Sequence, residues 1–348
     1  MTVKWGVIGA GGIADRRTIP EGIMPASNAE LVAVQDIAVD RAQAVGEKYG
    51  IGAVYTSEYD LLSDPAVEAV YIATPTHLHH GQVMAAAEAG KHVLCEKPLA
   101  LTLPECEEMV EECASRNVKF GLNFMMRFHA CHVALKQMVE EGKLGELVMG
   151  RAELTCWYPP IPGAFRQDPA LGGGGAFIDM GNHCVDLLEQ FFGRTMEVMC
   201  YTSNIVQDYA SEDTAVAMLK FENGAVGVVD ALFNVPDAAG RAALELYGSL
   251  GSVYSFGTIG QGSEGSLNVV VEEPGKAYDA AQVRGADEGK FVLTPEVVNI
   301  YQAHIEAFSD AILNDTAPPV TGEDGIWSHK VIEACYESAR TGKAVKVS

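Results

Sequence analysis

The chain has 348 residues, 48% hydrophobic and 20% charged, which is long enough for two folded domains with a core in each. Lysine and arginine total 24 against 47 for aspartate and glutamate, and this net charge of −23 disfavours nucleic acid and anionic membranes as partners. There is no apolar run of about 18 residues that would predict a membrane span. The eight cysteines include no C-x-x-C pair, so we expect reduced thiols in a cytoplasmic protein.

The first predicted strand, residues 3–8, runs directly into a glycine turn of the pattern G-x-G-x-x-A. Gly9 permits the tight turn, Gly11 lets the backbone approach a pyrophosphate, and Ala14 lets the next helix pack closely on the strand. The first N–H groups of that helix are placed to hold the phosphates. The turn therefore predicts a dinucleotide site, whose contacts here are Gly9, Gly11, Gly12 and Ile13.

The second predicted strand, residues 29–34, leads to Asp36, where the hydroxyls of an adenosine ribose are expected. A carboxylate at this point accepts hydrogen bonds from the ribose and repels a 2′-phosphate, which favours NAD over NADP. Arg16, Arg17 and Arg41 are close enough in sequence to bind such a phosphate, so NADP stays the alternative.

Strand-like and helix-like runs alternate up to residue 123, with further strands at 67–73, 91–95 and 118–123. This alternation predicts a parallel sheet with crossover helices. Thr102 and Glu105 predict a capping box at the start of a helix that buries Cys106, Met109 and Cys113.

The chain changes character after residue 124, where a helical stretch is followed by longer strand-like runs at 147–156, 196–205, 214–222, 225–233 and 241–247. These runs predict a mostly antiparallel sheet, with a two-residue hairpin turn at Asn223-Gly224. The run 225–233 is apolar on both faces, so we expect a partner subunit or an intrachain helix to cover its second face. A polar connection is predicted over 272–289, followed by two closing helices.

Two polar segments follow predicted strands of the parallel sheet: Thr74-Pro75 with His79, and Glu96-Lys97-Pro98. Open parallel sheets bind ligands at these carboxyl strand ends. Lys97 can hydrogen-bond a reacting oxygen or exchange a proton with it. The alternative is a solvated lysine before a helix.

A glycine run at 172–175 precedes Asp179 and His183, which are four residues apart and share one face of a predicted helix. An imidazole can take a hydroxyl proton and return it, and a nearby carboxylate can orient the ring. The alternative is a pair that only stabilises the helix.

These segments, in this order, resemble the Gfo/Idh/MocA oxidoreductases, the family of glucose-fructose oxidoreductase and inositol dehydrogenase. The resemblance implies a doubly wound Rossmann domain over residues 1–123 that binds NAD(P). It implies an α+β domain with a large open, mainly antiparallel sheet over 124–348, used for substrate binding and for assembly into a dimer or tetramer. Lys97 and His183 are then expected to contact the reacting hydroxyl of a sugar, sugar derivative or cyclitol, with Asp179 as the third catalytic residue. The further cofactor contacts implied are Thr74, Pro75, His79, Glu96 and Lys97.

Two more groups are expected to bind this substrate: Asn123 with Arg127, and Trp157, Arg166 and Asp168 before the glycine run. Charged side chains beside an aromatic wall suit a polyhydroxylated ligand. Trp157 could equally be a core or interface residue. The histidine clusters near residues 79 and 129 match no standard zinc spacing, so no metal is expected.

The resulting hypothesis is an NAD(P)-dependent dehydrogenase acting on CH–OH groups. Two alternatives stay open. One is a cofactor-binding regulator without turnover, and the other is a glycoside-processing enzyme that uses transient oxidation.

Overall fold

The computed structural model describes residues 1–275, 280 and 289–348. The chain forms two compact units: unit 1 comprises Met1–Met125, Ile161–Gly175 and Asn299–Lys330, and unit 2 comprises Met126–Pro160, Ala176–Val298 and Val331–Ser348. Most of the polar connection predicted over 272–289 lies outside the described residues. The division of the chain after residue 123 stays a prediction.

Up to residue 123 the elements follow the predicted alternation, whereas the strands that begin at residues 53, 251, 266, 290 and 345 are not among those predicted. The strands are β1 Val3–Ile8, β2 Ala29–Gln35, β3 Ala53–Tyr55, β4 Ala69–Ile72, β5 His92–Cys95, β6 Phe120–Leu122, β7 Leu147–Thr155, β8 Thr195–Ser203, β9 Thr214–Phe221, β10 Val226–Leu232, β11 Ala243–Gly248, β12 Gly251–Phe256, β13 Ser266–Val271, β14 Lys290–Leu293 and β15 Val345–Lys346. The α-helices are α1 Val39–Tyr49, α2 Glu58–Leu62, α3 Thr76–Glu88, α4 Leu103–Ser115, α5 Ala130–Glu140, α6 Pro169–Gly172, α7 Asn182–Phe192, α8 Ile300–Leu313 and α9 Gly322–Thr341. Two π-helices, Ala14–Ile23 and Phe177–Gly181, complete the elements that matter for the site. Within the described ranges, the helices are too short or too polar for any of them to cross a membrane.

Unit 1 contains a six-stranded sheet in the order β3-β2-β1-β4-β5-β6, and every neighbouring pair is parallel. All four residues of β4 are buried, as expected for a parallel sheet with helices on both faces. The strand order reverses direction between β1 and β4, which places the turns after these two strands at the switch point of the sheet. The predicted doubly wound parallel sheet is confirmed.

The core of unit 1 is centred on Trp5, which is fully buried in β1. Its ring lies 5.6 Å from that of Phe308 in α8, and its Nε1–H donates to Ser309 Oγ at 3.1 Å. A buried indole N–H needs such an acceptor. Helix α8 therefore belongs to the packing of the N-terminal sheet although it is distant in sequence.

The predicted capping box of α4 is confirmed. Thr102 Oγ1 accepts from the backbone N–H of Glu105 at 3.4 Å, and Glu105 Oε2 accepts from the N–H of Thr102 at 3.0 Å. The predicted stripe of Cys106, Met109 and Cys113 is buried.

Unit 2 contains a nine-stranded sheet in the order β14-β13-β12-β11-β7-β10-β9-β8-β15. Its pairs are antiparallel except β7 with β10, so the mainly antiparallel prediction is confirmed. Helix α7 packs closely on one face, since a Cβ on Gly150 of β7 would lie 2.5 Å from the Phe192 ring. Glycine in β7 thus permits a close helix–sheet contact.

The hairpin between β9 and β10 differs from the prediction by one residue. Phe221 N–H donates to Ala225 O at 2.9 Å, so the connection has three residues, 222–224. Gly224 has a φ of +87°, whereas Asn223 does not have a positive φ. A two-residue type I′ turn needs positive φ at both positions, and a single left-handed glycine instead favours the three-residue loop.

The two faces of β10 differ in exposure. Val229 and Ala231 are fully buried, whereas Val226 on the opposite face is 47% exposed and its neighbour Met218 in β9 is 53% exposed. Among the described residues, no helix of the same chain covers this face, so that one of the two predicted alternatives is wrong. The partner subunit stays a prediction.

Candidate active site

The glycine turn after β1 is held against its neighbours by backbone contacts. The N–H groups of Gly9 and Ala10 both donate to Gln35 O at the end of β2, at 2.9 Å each. Gly9 has a φ of +78°, and a Cβ there would lie 2.8 Å from Thr74 Cγ2. A side chain at this position is therefore excluded both by conformation and by the turn after β4.

Gly11, Gly12 and Ala14 are the small residues of the turn, and small residues let a pyrophosphate approach the backbone. Gly11 has no side chain to block the backbone, and a Cβ there would lie 2.4 Å from Arg41 Cδ. Gly12 has a φ of +55° and open space around it, Ile13 is half-buried, and Ala14 is fully buried. These residues fit a dinucleotide pyrophosphate, which would lie against backbone N–H groups.

The helix after this turn is a π-helix rather than an α-helix. Met24 N–H donates to Ile19 O, five residues back, at 3.0 Å. Pro20 lies inside the helix and has no N–H to continue an α-helical ladder. Short π-helical segments are frequent at functional sites.

Asp36 lies at the end of β2, as predicted, with a side chain that is 5% exposed. Its carboxylate accepts from the N–H groups of Gly11 at 3.2 Å and Ala38 at 3.0 Å. Arg41 Nη1 lies 3.3 Å from Asp36 Oδ1. The predicted ribose ligand is therefore also an acceptor for the glycine turn.

His79 ties two of the predicted segments together. Its ring is 1% exposed, with Nε2 at 2.9 Å from Thr74 O and Nδ1 at 3.0 Å from Pro98 O. Burial lowers the pKa of the imidazole. Thr74 and Pro75 precede α3, and Thr74 Oγ1 donates to Gln82 Oε1 at 2.6 Å. His79 thus fixes the turn after β4 to the turn after β5.

Glu96 and Asn123 belong to a buried polar network below Lys97. Tyr71 Oη donates to Glu96 Oε1, Asn123 Nδ2 donates to the same oxygen at 2.8 Å, and Lys97 N–H donates to Glu96 Oε2 at 3.2 Å. Asn123 Oδ1 also lies 2.9 Å from His304 Nδ1. Burial and the adjacent Glu96 carboxylate raise the pKa of Tyr71. These contacts give Glu96 and Asn123 a role in holding the Lys97 turn, while direct cofactor and substrate contacts by them stay predictions.

In unit 2, Asp179 lies in the π-helix Phe177–Gly181 and His183 in α7, which continues it. Asp179 is half-buried and His183 is 5% exposed. Glu212 holds the start of this helix, because its Oε1 accepts from the N–H of Phe177 and from Tyr336 Oη, both at 2.9 Å. A carboxylate at a helix N-terminus is favourable for the orphan N–H groups and the helix dipole.

Arg127 also acts on α7. Its Nε donates to both Asp186 oxygens at 3.0 Å, and the two side chains are 15% and 4% exposed. Asp186 is three residues after His183, so this buried ion pair restrains the turn of α7 that carries the histidine. Sequence reasoning missed Asp186, although its spacing from His183 is a usable signal. Substrate binding by Arg127 stays a prediction.

The remaining predicted substrate residues fall in different units. Trp157 lies in unit 2, is 45% exposed, and donates its backbone N–H to Asp237 Oδ1 at 2.8 Å. Arg166 and Asp168 lie in unit 1, where Arg166 stacks 4.4 Å over the Phe165 ring. Asp168 caps α6 by accepting from Ala170 N–H at 2.9 Å. Their role in substrate binding also stays a prediction.

Potential metal ligands do not converge in the parts of the chain that the structure describes. Across residues 1–275, 280 and 289–348, there is no group of three or more His, Cys, Asp or Glu side chains arranged to hold an ion. His129 and His132 lie with ring centroids 5.0 Å apart. His129 Nδ1 accepts from the N–H of Cys131 and its Nε2 lies 3.3 Å from Glu264 O, while His132 Nδ1 lies 2.8 Å from Met126 O.

Comparison with known proteins agrees with this geometry. The family model "Oxidoreductase family, NAD-binding Rossmann fold" matches residues 3–124, and the GFO/IDH/MocA C-terminal domain matches residues 132–254. A 1,5-anhydro-D-fructose reductase of Ensifer adhaerens is 31% identical, over 99% of this chain and 98% of that protein. A D-xylose 1-dehydrogenase (NADP(+)) of Haloferax volcanii is 30% identical, over 99% of this chain and 100% of that protein.

The crystal structure of an aldose-aldose oxidoreductase from Caulobacter crescentus complexed with glycerol has a TM-score of 0.88 at 26% identity, covering 99% of this chain and 100% of that chain. The chain belongs to the Gfo/Idh/MocA family of NAD(P)-binding oxidoreductases.

Proposed function

We propose that this chain is an NAD-preferring dehydrogenase that oxidises a secondary hydroxyl of a sugar, sugar derivative or cyclitol, or reduces the matching ketone. The observation that carries the proposal is the family match over residues 3–124 and 132–254, together with the glycine turn at the ligand edge of the parallel sheet. The resemblance implies that Lys97, Asp179 and His183 are the reacting residues. The names of the Ensifer and Haloferax relatives, which both refer to sugars, support the substrate class.

The cofactor would be held by the glycine turn and by Asp36. Gly9 permits the turn, Gly12 has open space beside it for a pyrophosphate, and Asp36 would accept from the adenosine ribose. When bound, the nicotinamide supplies the hydride acceptor or donor. The segments at Thr74-Pro75 and Glu96-Lys97 follow β4 and β5, both on one side of the glycine turn and at the same edge of the sheet, where open α/β sheets bind their ligands.

We assign the proton transfer to His183. During oxidation its imidazole takes the proton of the substrate hydroxyl, and during reduction it returns that proton to the ketone oxygen. Lys97 donates a hydrogen bond to the same oxygen and stabilises the negative charge that develops there. Asp179 orients the imidazole or binds a second substrate hydroxyl.

The NAD preference rests on the Asp36 carboxylate, which disfavours a 2′-phosphate. The Haloferax relative is named as an NADP(+) enzyme, so cofactor choice varies among relatives. A kcat/KM for NADP above that for NAD would contradict the preference.

We also propose a homo-oligomer assembled through the open face of the unit 2 sheet. Tyr201, Met218 and Val226 on this face are 63%, 53% and 47% exposed, and apolar surface of this kind favours a protein partner. A single-chain mass in sedimentation equilibrium would contradict this assembly. Cytoplasmic location stays a prediction, which cell fractionation can test.

The test of function is an assay that follows reduction of the nicotinamide by its absorbance. Purified protein with NAD is mixed with inositols, free aldoses, anhydro sugars and glycosides, and the matching ketones are assayed with NADH. We expect turnover with at least one polyhydroxylated substrate. Product analysis then separates simple oxidation from glycoside processing. Tight NAD binding without turnover on any member of the panel would favour the regulator instead.

A further inference from the structure

A buried polar network in unit 1 ends at the turn that carries Lys97. It joins the π-helix Ala14–Ile23, β4, the turn after β6 and α8. Its side chains, each 3% exposed or less, are those of Thr18, Tyr71, Asn123 and His304. Polar groups buried this deeply destabilise the fold unless each of them finds a partner.

The contacts of this network converge on the Glu96 carboxylate. Thr18 Oγ1 donates to Tyr71 Oη at 3.0 Å, and Tyr71 Oη donates in turn to Glu96 Oε1. Asn123 Nδ2 donates to the same oxygen at 2.8 Å, while Asn123 Oδ1 lies 2.9 Å from His304 Nδ1. One oxygen of the carboxylate therefore receives two donors from buried side chains.

His304 fits the direction in which the Asn123 amide points. A carboxylate accepts only, so the amide presents Nδ2 to Glu96 and Oδ1 to the opposite side. With a proton on Nδ1, His304 is a donor to that Oδ1. Without this donor Oδ1 would be buried and unsatisfied, which is destabilising. His304 thus stabilises the amide orientation that serves Glu96.

The second oxygen of Glu96 holds the backbone of the next residue, because Lys97 N–H donates to Glu96 Oε2 at 3.2 Å. Lys97 also has a long, flexible side chain that ends in a positive charge. A Glu96 carboxylate released from the network would be free to turn to this ammonium and form an ion pair. The network therefore decides which part of Lys97 the carboxylate binds.

We propose that Tyr71 and His304 are positioning residues for the reaction. They hold Glu96 so that its carboxylate binds the backbone N–H of Lys97 and leaves the ammonium for the reacting oxygen of the substrate. The inference rests on the proposed function, because it concerns the lysine that this function places at that oxygen. Tyr71 acts through Glu96 directly, and His304 acts through Asn123.

The first experiment compares two buried tyrosines, each changed by the loss of its hydroxyl. Tyr71→Phe removes a donor from Glu96, and Tyr301→Phe is the matched control. The Tyr301 hydroxyl in α8 is also buried, but it has no hydrogen-bond partner among the described residues. We expect Tyr71→Phe to lower kcat about tenfold or more, the usual size of a hydrogen bond to a charged group. Tyr301→Phe should stay within about twofold of the unmodified protein.

A double-mutant cycle separates this role from a general effect on packing. Glu96→Gln removes the negative charge that would pair with the ammonium. In that background, adding Tyr71→Phe should change kcat by less than about twofold, because no carboxylate is left to move. If Tyr71 only supported the fold, its change would lower kcat by the same factor in both backgrounds.

Labelling of Lys97 tests the same role without turnover. An ammonium paired with a carboxylate gives up its proton less readily, so its amine reacts more slowly with acetic anhydride. Peptide mass spectrometry should show Lys97 labelled about threefold more slowly in Tyr71→Phe than in the unmodified protein, the size of a weak ion pair. Tyr301→Phe should keep the rate of the unmodified protein.

His304 is tested by rescue. His304→Leu removes the donor to Asn123, whereas His304→Asn keeps an N–H near the place of Nδ1. We expect His304→Leu to lower kcat about tenfold and His304→Asn to recover most of that loss. Circular dichroism checks that both variants fold. If His304→Leu does not fold, the comparison of Tyr71→Phe with Tyr301→Phe decides the proposal.

The possible failures are distinguishable. If the unmodified protein turns over a substrate but Tyr71→Phe behaves like Tyr301→Phe in kcat and in labelling, the positioning role is wrong and the proposed function stands. Equal factors for Tyr71→Phe in the two backgrounds at residue 96 would also overturn the role. If the unmodified protein turns over no substrate of the panel, the proposed function fails and the positioning role fails with it.

Discussion

The two units position their candidate residues by different means. In unit 1 the residues lie at the carboxyl ends of β1, β4 and β5, and each turn is fixed by close contact with the next one. Gly9 abuts Thr74, and His79 joins Thr74 to Pro98. In unit 2, Asp179 and His183 lie on one continuous helical segment that is restrained by distant side chains.

The two units differ in the kind of contact that holds these residues. In unit 2, Glu212 reaches Phe177 across 35 residues and Arg127 reaches Asp186 across 59 residues. In unit 1, parallel pairing itself brings the strand ends together. We therefore expect changes in unit 1 to affect cofactor binding as well as catalysis, and changes in unit 2 to affect mainly the chemical step.

The largest expected effect is the loss of the proton acceptor. His183→Asn should lower kcat by about 10²- to 10⁴-fold, the usual contribution of general acid–base catalysis. Its Kd for NAD should stay within about threefold of the unmodified protein, since the change lies in unit 2. Stopped-flow turnover and calorimetric NAD binding measure the two quantities.

Lys97→Ala is the matching variant in unit 1. We expect a similar fall in kcat because one donor to the reacting oxygen is lost. Unchanged turnover in either variant would remove that residue from the mechanism. A large loss of NAD affinity in His183→Asn would instead contradict the contrast between the units.

A smaller effect is expected at the glycine turn. Gly9→Ala must adopt a φ of +78° and place a Cβ 2.8 Å from Thr74 Cγ2. Gly50→Ala is the control, because Gly50 has a φ of +72° with open space around it. The left-handed conformation alone costs about 1–2 kcal/mol, and the clash adds about 1–3 kcal/mol.

Urea unfolding and NAD titration test this pair of glycine variants. Gly9→Ala should be the less stable of the two and should bind NAD at least about tenfold more weakly than the unmodified protein. Gly50→Ala should keep its NAD affinity. Equal behaviour of the two variants would mean that the contact between the turns after β1 and β4 does not matter.

The sequence predicts the features that depend on local patterns. Strand alternation predicts the parallel sheet, and the G-x-G-x-x-A pattern predicts its ligand edge. Thr102 and Glu105 predict a helix start because a capping box involves residues three apart. The spacing of Asp179 and His183 likewise places them on one helical segment.

Other features depend on packing that no local pattern encodes. His304 contacts Asn123 from 181 residues away, and Tyr336 contacts Glu212 from 124 residues away. The hairpin length depended on the φ of Asn223, which the dipeptide alone does not determine. A period of 3.6 residues predicts α-helices and not π-helices. Pro20 inside the first π-helix is the local signal that an α-helix is disfavoured there.

Buried histidines extend the comparison of the two units. In unit 1, both ring nitrogens of His79 face carbonyl oxygens, of Thr74 and Pro98. In unit 2, His132 Nδ1 lies 2.8 Å from Met126 O, but its buried Nε2 has no hydrogen-bond partner among the described residues. If the His79 ring is protonated, both of its N–H groups face a carbonyl oxygen. If the His132 ring is protonated, its Nε2–H has no acceptor among the described residues. Burial therefore lowers the pKa of His132 to about 3.

The smallest predicted effect is the resulting pH dependence of stability. Below pH 6.5 the unfolded chain binds a proton at His132 that the folded chain does not bind until about pH 3, so stability falls as the pH falls. At about 1.4 kcal/mol per pH unit, His132 should cost the folded state roughly 2 kcal/mol between pH 7 and pH 5. His132→Gln removes this contribution. The difference in unfolding free energy between the unmodified protein and His132→Gln should therefore shrink by that amount over this range in urea titrations.

His77→Gln, at an exposed histidine, should keep the pH dependence of the unmodified protein. A difference for His132→Gln that stays constant with pH would show that His132 is not the buried neutral histidine that its surroundings require.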